Sequence, residues 1–273
     1  MGIRINTNVA ALNTQRNLYS STVKFNKSME KLASGLRINR AADDAAGLAI
    51  SEGMKSDIRA LGQAARNAQD GISMVQTAEG ALDEVSNVLL RMKELAEQSL
   101  GGTLSSDQQD YLDAEYQELS AEIDRIAAGT EYNEISLLDG SLDVDIQVGI
   151  DTAATSSINV ALGTAMDTTG LSLAADIGST GAPGTALTEV DAAIATVSSA
   201  RADFGAKQNR FESSVRNIQN TAENLSAANS RIRDVDVASE TSKMTSHQIL
   251  QQAGVSVLAQ ANMTTGLALS LLG

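Results

Sequence analysis

Few side chains in this 273-residue chain are of a kind that does chemistry. Adjacent Asp43 and Asp44 could hold a divalent cation, but neighbouring carboxylates diverge on most backbones and no further ligand follows at useful spacing. With Asn39 they suit local hydrogen bonds to backbone, which favours a compact connector over residues 35–47. The one histidine, His247, stands in T-S-H-Q-I-L with no acid within reach of its own turn, the setting of a packed or solvated ring. Without cysteine, disulfides, thiolate metal sites and cysteine nucleophiles are excluded. Nothing here asks for a cofactor.

Charge is the next candidate. Residues 1–40 hold seven bases (Arg4, Arg16, Lys24, Lys27, Lys31, Arg37, Arg40) against one acid, Glu30, a net +6 in a chain of −14. A nucleic-acid arm would look like this, yet these bases sit on one amphipathic helix without an aromatic stacking platform. A molecule this acidic is also repelled by phosphate backbones, so the expectation is no nucleic-acid partner. No membrane is expected either: no apolar run reaches the length of a span, and the last segment lacks the basic face of an interfacial helix. Met1 onward does not show the basic-then-apolar pattern of a cleaved signal peptide.

The elements that must carry these residues are long helices. Over 58–99, apolar or small residues fall at Ile58, Leu61, Ala65, Ala68, Ile72, Val75, Ala78, Leu82, Val85, Leu89, Met92, Ala96 and Ser99, with one slip of frame around Ala78. Over 187–232 the same beat runs through Val190, Ile194, Val197, Arg201, Phe204, Gln208, Phe211, Val215 and Ile218. Steps of three and four place these on one face, so each stretch is a rod of about 60 Å that must pack lengthwise on another. Asp70-Gly71 reads as helix interior because the seam crosses it. A capping box at Ser106 and Gln109 opens a third helix that folds back antiparallel.

A first helix, capped by Asn6 or Thr7, has its seam at Val9, Leu12, Arg16, Tyr19, Val23, Asn26, Met29 and Leu32. A last one, 240–273, shows Thr241, Met244, Gln248, Gln251, Val255, Leu258, Asn262, Thr265, Leu269 and Leu272 on one face. Half that face is polar, which suits burial against many copies of similar helices. In the middle the period falls to two: Leu142, Val144, Ile146 and Val148 form a half-buried strand whose hairpin mate is 156–161. The surrounding Gly/Ser/Thr-rich, acidic stretch reads as a solvent-facing lobe, and Thr185 or Thr188 caps the return rod. The fold class is mainly α: long antiparallel coiled-coil-like rods from both chain halves, with a small β-hairpin region at about 132–185.

Five motifs carry a family resemblance. I-R-I-N-T-N-V-A-A-L-N-T-Q-R-N-L from Ile3, S-G-L-R-I-N-R-A-A-D-D-A-A-G-L-A-I from Ser34, R-N-A-Q-D-G-I-S-M-V-Q-T-A-E-G-A-L from Arg66, L-D-G-S-L-D-V-D-I-Q-V-G from Leu138 and R-I-R-D-V-D-V-A-S-E-T-S-K-M-T from Arg231 all resemble bacterial flagellin. The middle departs, being too short for the large outer domains many flagellins carry, so the resemblance is to a minimal form. It implies a structural subunit of a self-assembling helical filament used for motility, secreted into the extracellular flagellum without a cleaved signal peptide. The terminal pair, 1–40 with 235–273, would form the filament's inner core and 41–234 the rod. Candidate assembly seams are Val9, Leu12, Tyr19, Val23, Val255, Leu258, Leu269 and Leu272. Implied partners are many copies of the chain, the flagellar export chaperone, the filament cap and the hook-junction proteins. A host's Toll-like receptor 5 is a further one, through Arg91, Leu95 and Glu115. A hook–filament junction protein of the same family is the alternative, set against the match through the middle. An enzyme of the metalloprotease kind would need an H-E-x-x-H helix, which His247 does not supply.

Overall fold

The computed structural model of the chain describes residues 7–151 and 153–270, and shows five helices with two small antiparallel strand pairs between the third and fourth. Two compact units can be told apart: residues 1–56 with 224–273, here the terminal unit, and 57–223, the rod unit. The two units meet in sequence at 56/57 and 223/224, where 40/41 and 234/235 are expected.

The first helix, α1 (Val9–Ser34), is capped by Asn8, whose Oδ1 accepts from the Ala11 amide at 3.0 Å. The cap therefore lies one or two residues beyond the expected Thr7 or Asn6, and Asn6 itself is outside the described residues. Gly35 ends α1 at φ +72°, the left-handed conformation that glycine adopts without strain. In the following connector Asp43 Oδ2 accepts from the Arg40 amide and Asp44 Oδ1 from the Gly47 amide, so both carboxylates are used locally. The second helix, α2 (Ala45–Leu100), starts well before residue 58.

In the rod unit α2 buries two rows at heptad spacing. One is Leu61, Ala68, Val75, Leu82, Leu89 and Ala96; the other is Ala64, Gly71, Ala78, Val85, Met92 and Ser99. There is no slip of frame at Ala78. Gly71 holds a seam position, and reading Ile72 in its place displaces the frame by one residue. The reason for glycine is steric: a Cβ there would stand 2.7 Å from Ile146 Cδ1 and 3.0 Å from the Phe211 ring. The fourth helix, α4 (Pro183–Arg233), opens on its proline, whose missing N–H costs nothing in the first turn, and not on Thr185 or Thr188. It buries Val190, Val197, Phe204, Phe211 and Ile218 every seven residues, as expected. Its second row is Ala186, Ala193 and Ala200, one residue before the expected Leu187, Ile194 and Arg201. Lys93 with Asp191 (2.7 Å) and Arg201 with Asp83 (3.0 Å) run in opposite order along the two helices, so α2 and α4 are antiparallel.

The third helix, α3 (Ser106–Gly129), returns along α2 and inserts Tyr116, Ile123 and Ala127 into the same core. Its cap sits one residue early, with Gln108 Oε1 accepting from the Ser105 amide, while Gln109 donates to the Ser99 carbonyl. Strands β1 (Glu131–Tyr132) and β2 (Ile135–Ser136), not foreseen, are joined through Asn133 and Glu134, both at positive φ, the geometry of a tight hairpin turn. Strands β3 (Asp143–Gln147) and β4 (Ser157–Ala161) pair as expected, Val144 opposite Val160 and Ile146 opposite Ile158, with Ile158 and Val160 buried.

Residues 162–182 form neither helix nor strand, yet they are not a free lobe. Leu162, Met166, Leu171 and Ile177 enter the core. Backbone amides of Thr168, Ile177 and Ser179 donate to Asp124, Asp113 and Asp110 of α3, and those of Ala174 and Ala175 to Glu189 of α4. Acids along one face of α3 thus do the work of a missing strand.

Substituting glycines of α2 tests the seam. Gly80→Ala meets open space and is expected to raise the stability of the rod by about 1 kcal/mol. Gly71→Ala pushes on Ile146 and Phe211, and should leave the protein about 2 kcal/mol less stable than the Gly80→Ala variant. Urea unfolding followed by circular dichroism gives both values; equal stabilities would refute the seam assignment.

Candidate assembly surface

The terminal unit is built from α1, the fifth helix α5 (Val237–Ser270), and the ends of α2 and α4. Asp236 opens α5 by accepting from the Ala238 and Ser239 amides. The two helices pair antiparallel through polar contacts. Asn8 Nδ2 donates to the Ala261 carbonyl (2.9 Å), Gln251 Nε2 to Thr22 Oγ1 (2.9 Å) and Ser28 Oγ to Glu240 Oε1 (2.6 Å). At the other end the connectors clasp: the Arg37 amide donates to the Arg233 carbonyl and the Val235 amide to the Gly35 carbonyl. The Arg37 guanidinium adds a bond of 2.6 Å to the Ile232 carbonyl.

What this pairing buries is unusual. Ile38 is the one buried large apolar side chain of the terminal unit among the described residues, while Ser28, Ser51 and Glu240 are also buried. The expected seam of α1 does not face α5. Val9 is 61% exposed, Leu12 53% and Tyr19 74%, with Val23 also open, whereas the half-buried residues of α1 mix Ala11, Thr14 and Thr22 with Leu18, Phe25 and the seam residue Leu32. On α5 Val255 is exposed and Leu258 half-buried. Leu272 lies outside the described residues, and Leu269 is in α5 but its side chain is not among those described. The seam residue Met29 stands open as well, as do apolar side chains that the seven-residue pattern passes over: Ile50, Ile249, Leu250, Val257 and Met263.

A second surface lies on the rod unit. The Arg91 guanidinium binds Glu115 Oε1 with two nitrogens, at 2.8 and 3.0 Å, and Glu94 at 3.0 Å. The Glu115 hydrogen bond, then the Glu94 one, hold the Arg91 proton more tightly than usual. Both Arg91 and Glu115 are about half exposed at their side chains. Leu95 is not on that surface: it is fully buried in the rod core, so four-residue spacing from Arg91 does not put it on the open face. His247 is half-buried on α5, its Nδ1 without a hydrogen-bond partner.

Comparison with known proteins places this architecture. Residues 5–143 match the bacterial flagellin N-terminal helical region and residues 187–272 the bacterial flagellin C-terminal helical region. The chain is 47% identical to the flagellin of Halalkalibacterium halodurans, over 98% of this chain and 99% of that protein. Against the flagellin of Bacillus subtilis it is 45% identical over 99% of this chain and the whole of that one. The crystal structure of Bacillus cereus flagellin superposes with a TM-score of 0.50 at 34% identity, over 60% of this chain and 94% of the other. Both helical ends thus fall within one class of protein. This chain belongs to the bacterial flagellin family, as a short form without large outer domains.

The buried carboxylate makes the α1–α5 pair sensitive to acid. The Ser28 hydrogen bond, opposed by burial and helped by Lys243, holds Glu240 below the ordinary glutamate value of 4.5. A lowered folded pKa contributes stability that is complete above the unfolded value and is lost as pH falls through the folded one. Helicity of the assembled protein is therefore expected to drop below pH 4.5, and Glu240→Gln should flatten that drop. Circular dichroism of both forms across this range is the check; identical profiles would refute it.

Proposed function

We infer that the chain works as a structural subunit of the extracellular flagellar filament, and that its terminal unit provides the surface on which copies polymerise. The observation that supports this most is the uneven burial of that unit: Ser28, Ser51 and Glu240 are buried, Leu18, Phe25, Leu32, Met244 and Leu258 are only half-buried, and Val9, Leu12, Tyr19, Val23 and Val255 stand open. Each such side chain yields about 1.5–3 kcal/mol when it is fully buried. One α1–α5 pair cannot collect that; neighbouring copies can, and folding of the ends is then coupled to polymerisation. Residues 1–40 with 235–273 are assigned to the filament's inner core. A structural role, and not catalysis, is the reading that family membership supports.

The same reading includes export without a cleaved leader and, as partners, the flagellar export chaperone, the filament cap and the hook-junction proteins. Family resemblance is what supports each of these. For a host's Toll-like receptor 5 the support is Arg91 and Glu115, a charged pair open on the rod. Leu95 would contribute by holding the α2 backbone beneath Arg91 and not by touching the receptor.

Two experiments test this. In the monomer, limited proteolysis should remove both ends quickly and leave a stable rod, while the polymer resists. Trimming either end should abolish filaments and leave the rod's thermal transition nearly unchanged. Ends as resistant in the monomer as the rod would contradict the coupling.

For the receptor, Arg91→Ala with Glu115→Ala is the informative variant, expected to weaken activation of receptor-bearing cells about tenfold at unchanged thermal stability. Leu95→Ala should instead lower rod stability by about 2–5 kcal/mol, as a cavity in the core does. Full activation by the double variant would remove the pair from the interface.

A further inference from the structure

We propose that Ser28 and Glu240 are a rotational key that fixes which face of α5 turns toward α1, positioning its apolar faces for neighbouring copies. The need for a key follows from the sequence of α5. Ile249, Leu250, Val255, Val257 and Met263 are all more than half exposed, and at about 100° per residue they lie on several sides of the helix. The half-buried row turned to α1 offers only Met244 and Leu258 as large apolar side chains, so hydrophobicity alone does not select that face. The connector clasp between Gly35–Arg37 and Arg233–Val235 fixes where α5 begins but makes no contact along the rest of its length.

Polar groups on the inner side break the tie. Glu240 is the one buried charged residue among those described; Ser28, itself buried, and Lys243, at 3.2 Å on the same helix, bond to it, and the Lys31 charge of α1 also favours its ionised form. At 2.6 Å the Ser28 bond is short and charge-assisted, so it is stronger than the neutral Gln251–Thr22 bond further along. Turning α5 by one residue position would break both. A leucine in place of Glu240 would bury as well or better but would choose no face, and a single buried polar group specifying one packing at some cost in stability is its best-attested use.

The absence of cysteine allows a direct reading. A Cβ on Gly254 would lie 3.7 Å from the Leu18 Cβ, within the span of about 3.5–4.5 Å that a disulfide needs. Leu18→Cys with Gly254→Cys therefore reports the observed face. Leu18→Cys with Val255→Cys reports a helix turned by about 100°. In the otherwise unaltered full-length chain the first pair should bridge and the second should not. Adding Ser28→Ala and Glu240→Leu should lower the ratio of the two bridges about tenfold, the factor one charge-assisted hydrogen bond contributes. An unchanged ratio overturns the key.

Should the Ser28→Ala, Glu240→Leu chain fail to form filaments, adding Leu18→Cys with Gly254→Cys and oxidising that pair before assembly decides the matter, since a chain lacking only orientation is rescued. A pre-bridged chain that still fails overturns the proposal. The inference rests on the assembly reading for its consequence alone. The bridge ratio is measured on polymerised chain, whose ends are folded, so an unchanged ratio there counts against the key, whereas an absence of polymer from the unaltered chain counts against assembly alone.

Discussion

The antiparallel seating of α4's phenylalanines on α2 is the interaction on which the rod depends. Phe204 and Phe211 are among the largest fully buried side chains, and they sit in a seam made mostly of alanine, valine and leucine. Room for Phe211 comes from Gly71, which also admits Ile146 of the hairpin. Helix and hairpin are therefore held by one contact: α2 gives up about 1 kcal/mol of helix propensity at Gly71 and gains an aromatic and an isoleucine against its backbone. From that point Lys207 Nζ reaches the Asn159 carbonyl of β4 at 2.7 Å, and Asn67 Nδ2 reaches the Gln147 carbonyl of β3. The second row of α4 stops being alanine where β4 arrives, and becomes Lys207 for that reason.

Set beside this, the terminal unit shows what the same helical pattern does without a matching partner. Its helices are as well capped as those of the rod, so local propensity is satisfied. What it lacks is apolar surface removed from water, the term that must outweigh the ordering entropy of roughly 1–2 kcal/mol per residue. Polar pairs such as Thr22–Gln251 give direction to the contact but little net free energy, since each replaces bonds to water. Specificity inside and attraction outside are thereby divided between two faces of the same helix.

How much of this is legible in the sequence depends on what each residue faces. Heptad spacing locates every long helix and the Phe204–Phe211–Ile218 row, because burial alone selects those positions. Spacing does not say which partner a seam meets. The α1 seam at Val9, Leu12, Tyr19 and Val23 is real as a pattern, yet it points away from α5. Counting along a helix sets Leu95 beside Arg91, but it ignores that a stripe three or four residues wide has an edge, and the core begins there. The caps at Asn8 and Ser105 fall one or two residues from their expected places, since several small polar residues adjoin each start. The 162–182 segment reads as a loop because its ties are acids on other helices, which leave no periodic trace.

Charge completes the division of labour. In the terminal unit eleven bases stand against seven acids, +4, which leaves −18 on the rod unit. Some of the rod's acids are turned to structural use, as Asp110, Asp113, Asp124 and Glu189 are when they accept backbone amides of the 162–182 segment. The remainder face solvent, and two copies approaching rod to rod meet like charge over a long front, which disfavours association there unless salt screens it. The terminal unit carries the opposite sign and the open apolar side chains together. Positive charge and open apolar side chains therefore coincide in the same part of the chain.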